Sequence, residues 1–157
     1  MHLRTLTNQF RSPRRTRSAI AAVEMAFIVP VLATLALGMF ELSRGVMVRE
    51  ILTGAARKGC RTGIYQQYGN SDINSDVTNV MQDNGFDTTK FNPPTLGSIT
   101  ITVTDPNGNV LSDALDAPAG STVSVQVSIP TTSVNWVSYF FLKTNMVESD
   151  TVVMMKQ

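Results

Sequence analysis

At 157 residues the chain has room for one modest folded domain beyond its N-terminal segment. A net charge of +1 conceals two opposed halves, net +7 over residues 1–68 and net −6 over residues 69–157. The arginines of the front have no aromatic interleaving beyond Phe10, which argues against nucleic-acid binding, and one cysteine, Cys60, can form neither an internal disulfide nor a cysteine metal cluster.

Residues 1–18 are polar and basic, carry five arginines and no acid, and contain Pro13. They read as a disordered or removed leader. From Ala19 to Phe40 the chain is apolar except for Glu24, and Met25 to Phe40 holds no charge at all. Those 22 residues give a helix of about 33 Å, enough to cross a hydrocarbon layer. Pro30 lies inside the run, where a membrane helix tolerates it with a kink, and Gly38 adds local flexibility. The arginines in front predict a cytoplasmic N-terminus and an exported C-terminal part. Glu24 is the anomaly. A carboxylate at the edge of a span costs about 2–3 kcal/mol, so it implies a partner or a role.

Helical character continues from Ser43 to Tyr68, with Val48, Ile51 or Leu52, Ala55, Gly59 and Gly63 recurring every three or four residues. Ala55, Gly59 and Gly63 form a stripe of small residues that lets another backbone approach closely. Two partners stay open for it, the chain's own C-terminal sheet and a helix of a neighbouring subunit. Arg44, Arg49, Arg57, Lys58 and Arg61 fall on a solvated face, and Cys60 reads as a small buried hydrophobe.

Gly69-Asn70-Ser71-Asp72 breaks the helix. A short second helix follows from Ile73 or Asn74 to Asp83, with Ser71 or Asp72 as N-cap, Gly85 as stop, and Ile73, Val77, Val80 and Met81 on one face. Asn92-Pro93-Pro94 enforces an extended link. The apolar period then changes to two. Ile99, Ile101 and Val103 mark a half-buried strand, Asp105 to Asn109 a turn, and Val110 to Leu115 a weaker strand. Pro118 to Ser121 turns again; Val123, Val125, Val127 and Ile129 mark the clearest strand, which Pro130 ends. Val134 to Leu142 is an aromatic-rich short helix or loop covering the sheet, and Met146 to Met155 is a last strand. The fold class is therefore α+β: a long N-terminal transmembrane helix, then a small antiparallel sheet with a short second helix.

The sequence offers no catalytic constellation. The one histidine, His2, lies in the leader, so no Ser-His or Cys-His dyad can form in the exported part. There is no metal-ligand spacing and no phosphate-binding glycine loop. Asp105, Asp113 and Asp116 sit at turns, where solvation is the expected state rather than a carboxylate pair or a calcium site. The expectation is a non-enzyme with no cofactor, no metal and no small-molecule substrate.

The order of basic cluster, Ala21-Ala22-Val23-Glu24-Met25-Ala26, Val29-Pro30, Gly38-Met39-Phe40-Glu41 and Ala55-Ala56-Arg57-Lys58-Gly59-Cys60-Arg61 resembles the TadE-like family of the tight-adherence (Flp-type) pilus system. The resemblance covers about residues 15–61, and it is looser beyond. It implies a pseudopilin or minor pilin, cut by a prepilin peptidase on the cytoplasmic side of the bacterial inner membrane and acting with other pilin-like subunits and the assembly machinery, in adhesion or secretion. The family places a Gly before the cut and a Glu at the fifth mature position. Counted back from Glu24, the cut falls between Ala19 and Ile20, with Ala19 where the family usually has Gly and Met25 where it commonly has Phe or Tyr. The implied layout is a leader over 1–19, a transmembrane helix over 20–41, its extramembrane continuation over 42–68 and an exported α+β domain over 69–157. Glu24 then lies about one turn from the new amine at Ile20. It can pair with a subunit's α-amine inside an apolar bundle and set axial register. Two other readings stay open: a plain single-pass anchor for an exported binding domain, and a secretory signal peptide cut after Gly38, where Ala36 and Gly38 give a small-x-small pattern.

Overall fold

The computed structural model describes residues 14–88, 97–130 and 146–157, with side chains from residue 18 onward. The leader ahead of residue 14, the Asn92-Pro93-Pro94 link and the aromatic stretch Val134 to Leu142 lie outside the described residues. The elements in chain order are α1 (Arg14–Gly63), α2 (Asn70–Asp83), β1 (Ser98–Thr104), β2 (Val110–Leu111), β3 (Thr122–Pro130), β4 (Met146–Glu148) and β5 (Val152–Met155). The fold is α+β. The chain divides into two compact units, Met1–Phe40 and Glu41–Gln157.

In the first unit, α1 exposes Ile20, Val23, Met25, Phe27, Val29, Val31, Leu32, Leu35, Leu37, Met39 and Phe40, with no polar face. In the second unit the same helix becomes one-sided. Val48, Leu52, Ala55, Ala56 and Cys60 are buried at helical spacing, and Arg49, Glu50, Arg57, Lys58 and Arg61 face solvent.

Helical bonding ends at Gly63, earlier than the sequence pattern suggests. Ile64 N–H still reaches Cys60 O at 3.1 Å, but Tyr65 N–H bonds to Thr62 O and Tyr68 N–H to Tyr65 O, a tightening from four-residue to three-residue spacing that turns the chain toward α2. The second helix also starts earlier than expected, at Asn70, with Gly69 rather than Ser71 or Asp72 as N-cap. Gly69 has no side chain to cap with, so two carboxylates act around it. Asp72 accepts the Gly69 N–H at 2.9 Å, and Asp113, far along the chain, accepts the Asn70 N–H at 2.9 Å. The helix ends as its sequence predicts. Gly85 is left-handed (φ 81°), and Phe86 N–H closes onto Met81 O at 3.0 Å.

The sheet runs β2-β1-β3, with β4 and β5 both antiparallel to β3 on its other edge. Ile99, Ile101 and Val103 lie opposite Val127, Val125 and Val123, so β1 and β3 present one apolar face, which Val152 and Met154 extend. This face and the inner sides of α1 and α2 form the core. The outer face carries Thr100, Thr102, Ser124 and Gln126.

Two strands differ from the expected spans. The second stops at Leu111 instead of Leu115, because Ser112, Asp113 and Ala114 turn away to bond the start of α2: Asn70 Nδ2 donates to Ser112 O at 2.9 Å, and Ala114 N–H donates to Asn70 Oδ1 at 3.1 Å. The last strand is split. Glu148 pairs with Ser128 and Val152 with Val125, so three residues, 149–151, stand against two, 126 and 127. This is a bulge, which bends the edge strand and interrupts its ladder.

Candidate functional site

The candidate residues all lie on α1. Its charge-free stretch has an apolar side chain on every side, and Phe27 and Phe40 are 75% and 77% exposed. Apolar area left in water forgoes about 25 cal/mol per Å², so a helix like this is matched to lipid or to other apolar helices. By length and composition it is the one helix among the described residues able to cross a membrane. Its polar backbone groups are largely met within it. Thr34 donates its hydroxyl to Val31 O at 2.8 Å, as a low-dielectric surrounding requires. Pro30 has no N–H to offer Ala26 O, which leaves that carbonyl without its helical donor. Ala19, Ile20 and Glu24 lie on exposed positions ahead of this point.

The small-residue stripe lies in the second unit, where its surroundings are specific. Ala55 is fully buried in the core. A Cβ on Gly59 would come 2.5 Å from Val77 Cγ2 and 3.1 Å from Ile73 Cγ2, and one on Gly63 would come 2.8 Å from Ile73 Cδ1 and 3.0 Å from Val123 Cγ1. Gly59 thus admits α2, and Gly63 sits where α2 and β3 both meet α1. Cys60 lies between them and donates its thiol to Val152 O at 3.1 Å. Burial pushes that thiol up to about 11.

Polar contacts fasten the same helix to the rest of this unit. Arg49 pairs with Asp150 in the bulge, and the Asp150 N–H donates to Thr53 Oγ1 at 3.3 Å. Asp76 of α2 accepts the Thr62 hydroxyl and lies 3.9 Å from Lys58 Nζ. Beside them an open polar groove between α1 and α2 is lined by Lys58, Arg61, Tyr65, Tyr68, Asp72 and Asp76.

The aspartates considered as a carboxylate pair serve separate turns. Asp105 accepts from Asn107 N–H at 2.9 Å and Asn109 N–H at 2.7 Å. Asp113 accepts from Asn70 and Leu115, and these backbone bonds hold its carboxyl below the usual range. Lys156, only 2% exposed, donates to Ala114 O in the same loop. No group of three His, Cys, Asp or Glu is placed to hold a metal ion among the described residues. Sequence reasoning missed the contacts of Asn70, Asp113, Ser149 and Lys156. Asp113 stood out only as a turn residue, and Asn70 and Asp113 are 43 residues apart, with no local pattern linking them.

The class so defined is an α+β protein with a membrane-type helix at its N-terminus, of the kind that serves as a single-pass anchor. The chain carries a TadE-like segment: residues 19–61 match the family model described as TadE-like protein. No curated protein and no solved structure matches the chain.

Proposed function

We propose that this chain is a pseudopilin or minor pilin that acts in assembly of a Tad (Flp-type) pilus. Residues 20–41 hold it in the inner membrane with the N-terminus cytoplasmic, residues 42–68 continue outside the membrane, and residues 69–157 are exported. A prepilin peptidase cuts between Ala19 and Ile20, removing the arginine-rich leader. Glu24 is then the fifth residue of the mature helix, and it pairs with the α-amine of another pilin-like subunit. The observation that carries the reading is the extent of the family match. It opens at Ala19, the residue before the inferred cut, and includes both Glu24 and the whole apolar stretch.

The physical logic supports the same reading. A carboxylate in an apolar bundle is costly alone, and a compensating amine at a fixed axial offset converts that cost into register. The test is Glu24→Ala in cells that assemble the pilus. Membrane insertion is expected to be intact and recovery of sheared surface filaments reduced. Filaments at the normal level would contradict the pairing role.

A further inference from the structure

We propose that Asn107 is a site of spontaneous covalent modification, converting to aspartate and isoaspartate in the folded chain, and that Asn84, in the same dipeptide, is held back from it. Neither the membrane anchor nor the cut in the leader enters this chemistry. The chain has two Asn-Gly pairs, Asn84-Gly85 and Asn107-Gly108. Asparagine before glycine is reactive because glycine has no side chain to keep its amide nitrogen away from the asparagine side-chain carbonyl. The Gly108 nitrogen gives up its proton to solvent base and attacks Asn107 Cγ. The new C–N bond closes a cyclic imide, the Cγ–Nδ2 bond breaks, and that nitrogen leaves as ammonia. Water then opens the imide at either of its carbonyls, giving aspartate or isoaspartate. The attack is intramolecular, so local geometry governs its rate.

The two pairs are matched at the attacking nitrogen. Each fills the last two positions of a turn: Gly85 N–H donates to Gln82 O at 2.9 Å and Gly108 N–H to Asp105 O at 3.0 Å, and both glycines are left-handed, at φ 81° and 88°. They differ at the carbonyl under attack. Asn84 Nδ2 donates to Val80 O at 2.7 Å, which ties the side chain to the last turn of α2. Its own N–H donates to the carbonyl of the buried Met81 at 3.1 Å. The Asn107 side chain has only the Asp105 carboxylate of its own turn. There it ranks last behind three other donors, Asn107 N–H at 2.9 Å, Asn109 N–H at 2.7 Å and Asn109 Nδ2 at 2.9 Å. Residues 106–110 are all exposed. The amide that must swing toward the glycine nitrogen is thus tethered to a helix at Asn84 and loosely held at Asn107. Conversion adds a negative charge two residues from Asp105. Isoaspartate also adds a methylene to the backbone between Asp105 and Asn109, whose bond from Asp105 N–H to Asn109 O at 2.9 Å closes the β1–β2 hairpin.

The test is incubation of the full chain in detergent at mildly alkaline pH, folded and in urea, followed by trypsin and mass spectrometry. Cleavage after Arg61, Lys90 and Lys143 puts the two pairs on separate peptides, 62–90 and 91–143. In the folded chain Asn107 is expected to convert about fivefold faster than Asn84, the worth of one hydrogen bond. In urea, with the tether to Val80 gone, the two are expected to convert at rates within about twofold of each other. Asn84 converting as fast as Asn107 in the folded chain would overturn the assignment. So would a folded chain in which Asn107 stays intact while the urea-unfolded chain converts. A fivefold difference that persists in urea would overturn it too, because the neighbouring sequence and not the fold would then set the rates.

Discussion

Ser149 and Val127 are bonded twice: the Ser149 N–H donates to Val127 O at 2.8 Å, and the Val127 N–H donates to Ser149 Oγ at 2.9 Å. A hydroxyl has taken the place of a strand carbonyl, and this is what lets the edge strand bulge without orphaning a buried N–H. The hydroxyl in turn donates to Asp150 O at 2.9 Å, which fixes the corner that Arg49 and Thr53 of α1 grip.

Ser149→Ala removes the only acceptor the bulge gives Val127 and leaves a buried donor unmet. The expected loss is about 1–3 kcal/mol, read from urea unfolding of the detergent-solubilised chain. Thr151→Ala, at an exposed position of the same bulge, is expected to change stability by less than about 0.5 kcal/mol. Equal effects from the two would show that the hydroxyl has no special part.

Gly59→Ala drives a methyl group against Val77, with Ile73 close behind. Overpacking of this kind costs about 1–3 kcal/mol. Adding Val77→Ala opens the space again, so the double variant is expected to lose less than the sum of its parts. Gly54→Ala provides the contrast. With open space at its Cβ, it is expected to stabilise the isolated chain by about 0.5–1 kcal/mol.

Gly59 and Gly63 show where sequence reading stops. The period of apolar residues marked α1, and small residues four apart marked a close approach, but spacing alone does not say which element approaches. Gly59 and Gly63 face α2, and that follows only once the turn at 64–69 folds α2 back along α1. The alternation of Ile99, Ile101 and Val103 with threonines made β1 legible, and Val123 to Ile129 did the same for β3. The bulge at Ser149 was read through: Ser149 and Asp150 are poor strand formers, but the strand residues on either side of them, Met146 to Glu148 and Val152 to Met155, masked the break. The start of α2 was hidden for another reason. Asp113, from a distant loop, accepts the first N–H of the helix, so the local signals at Ser71 and Asp72 pointed two or three residues too late.

Asp113 makes stability depend on pH. Its bonds to the Leu115 and Asn70 N–H groups favour the carboxylate, so the folded-state value lies below the ordinary 3.8. A depressed carboxyl contributes stability that is fully present above the unfolded value and is lost as pH falls through the folded one. The melting temperature is therefore expected to fall on acidification below about pH 4, with a shallower fall in Asp113→Asn. An unchanged acid slope in that variant would contradict the role.

Cys60 gives the opposite sign. Its thiol is favoured over the thiolate by burial, with a folded-state value of about 11 against 9.0. That preference contributes stability in full below the unfolded value and loses it as pH rises through the folded one. At pH 8 the native chain is expected to resist alkylation by iodoacetamide, and the urea-unfolded chain to react fully. Rapid labelling of the native chain would show that the α1–β5 contact opens.

The most direct measurement is the N-terminal residue of the mature chain, read by mass spectrometry from membranes of cells that contain the prepilin peptidase. A start at Ile20 is expected, which makes Glu24 the fifth residue of a helix freed of its arginine leader. An intact N-terminus would leave only a plain anchor, and a start at Met39 would make the apolar stretch a discarded signal peptide. Either result would contradict the pseudopilin reading.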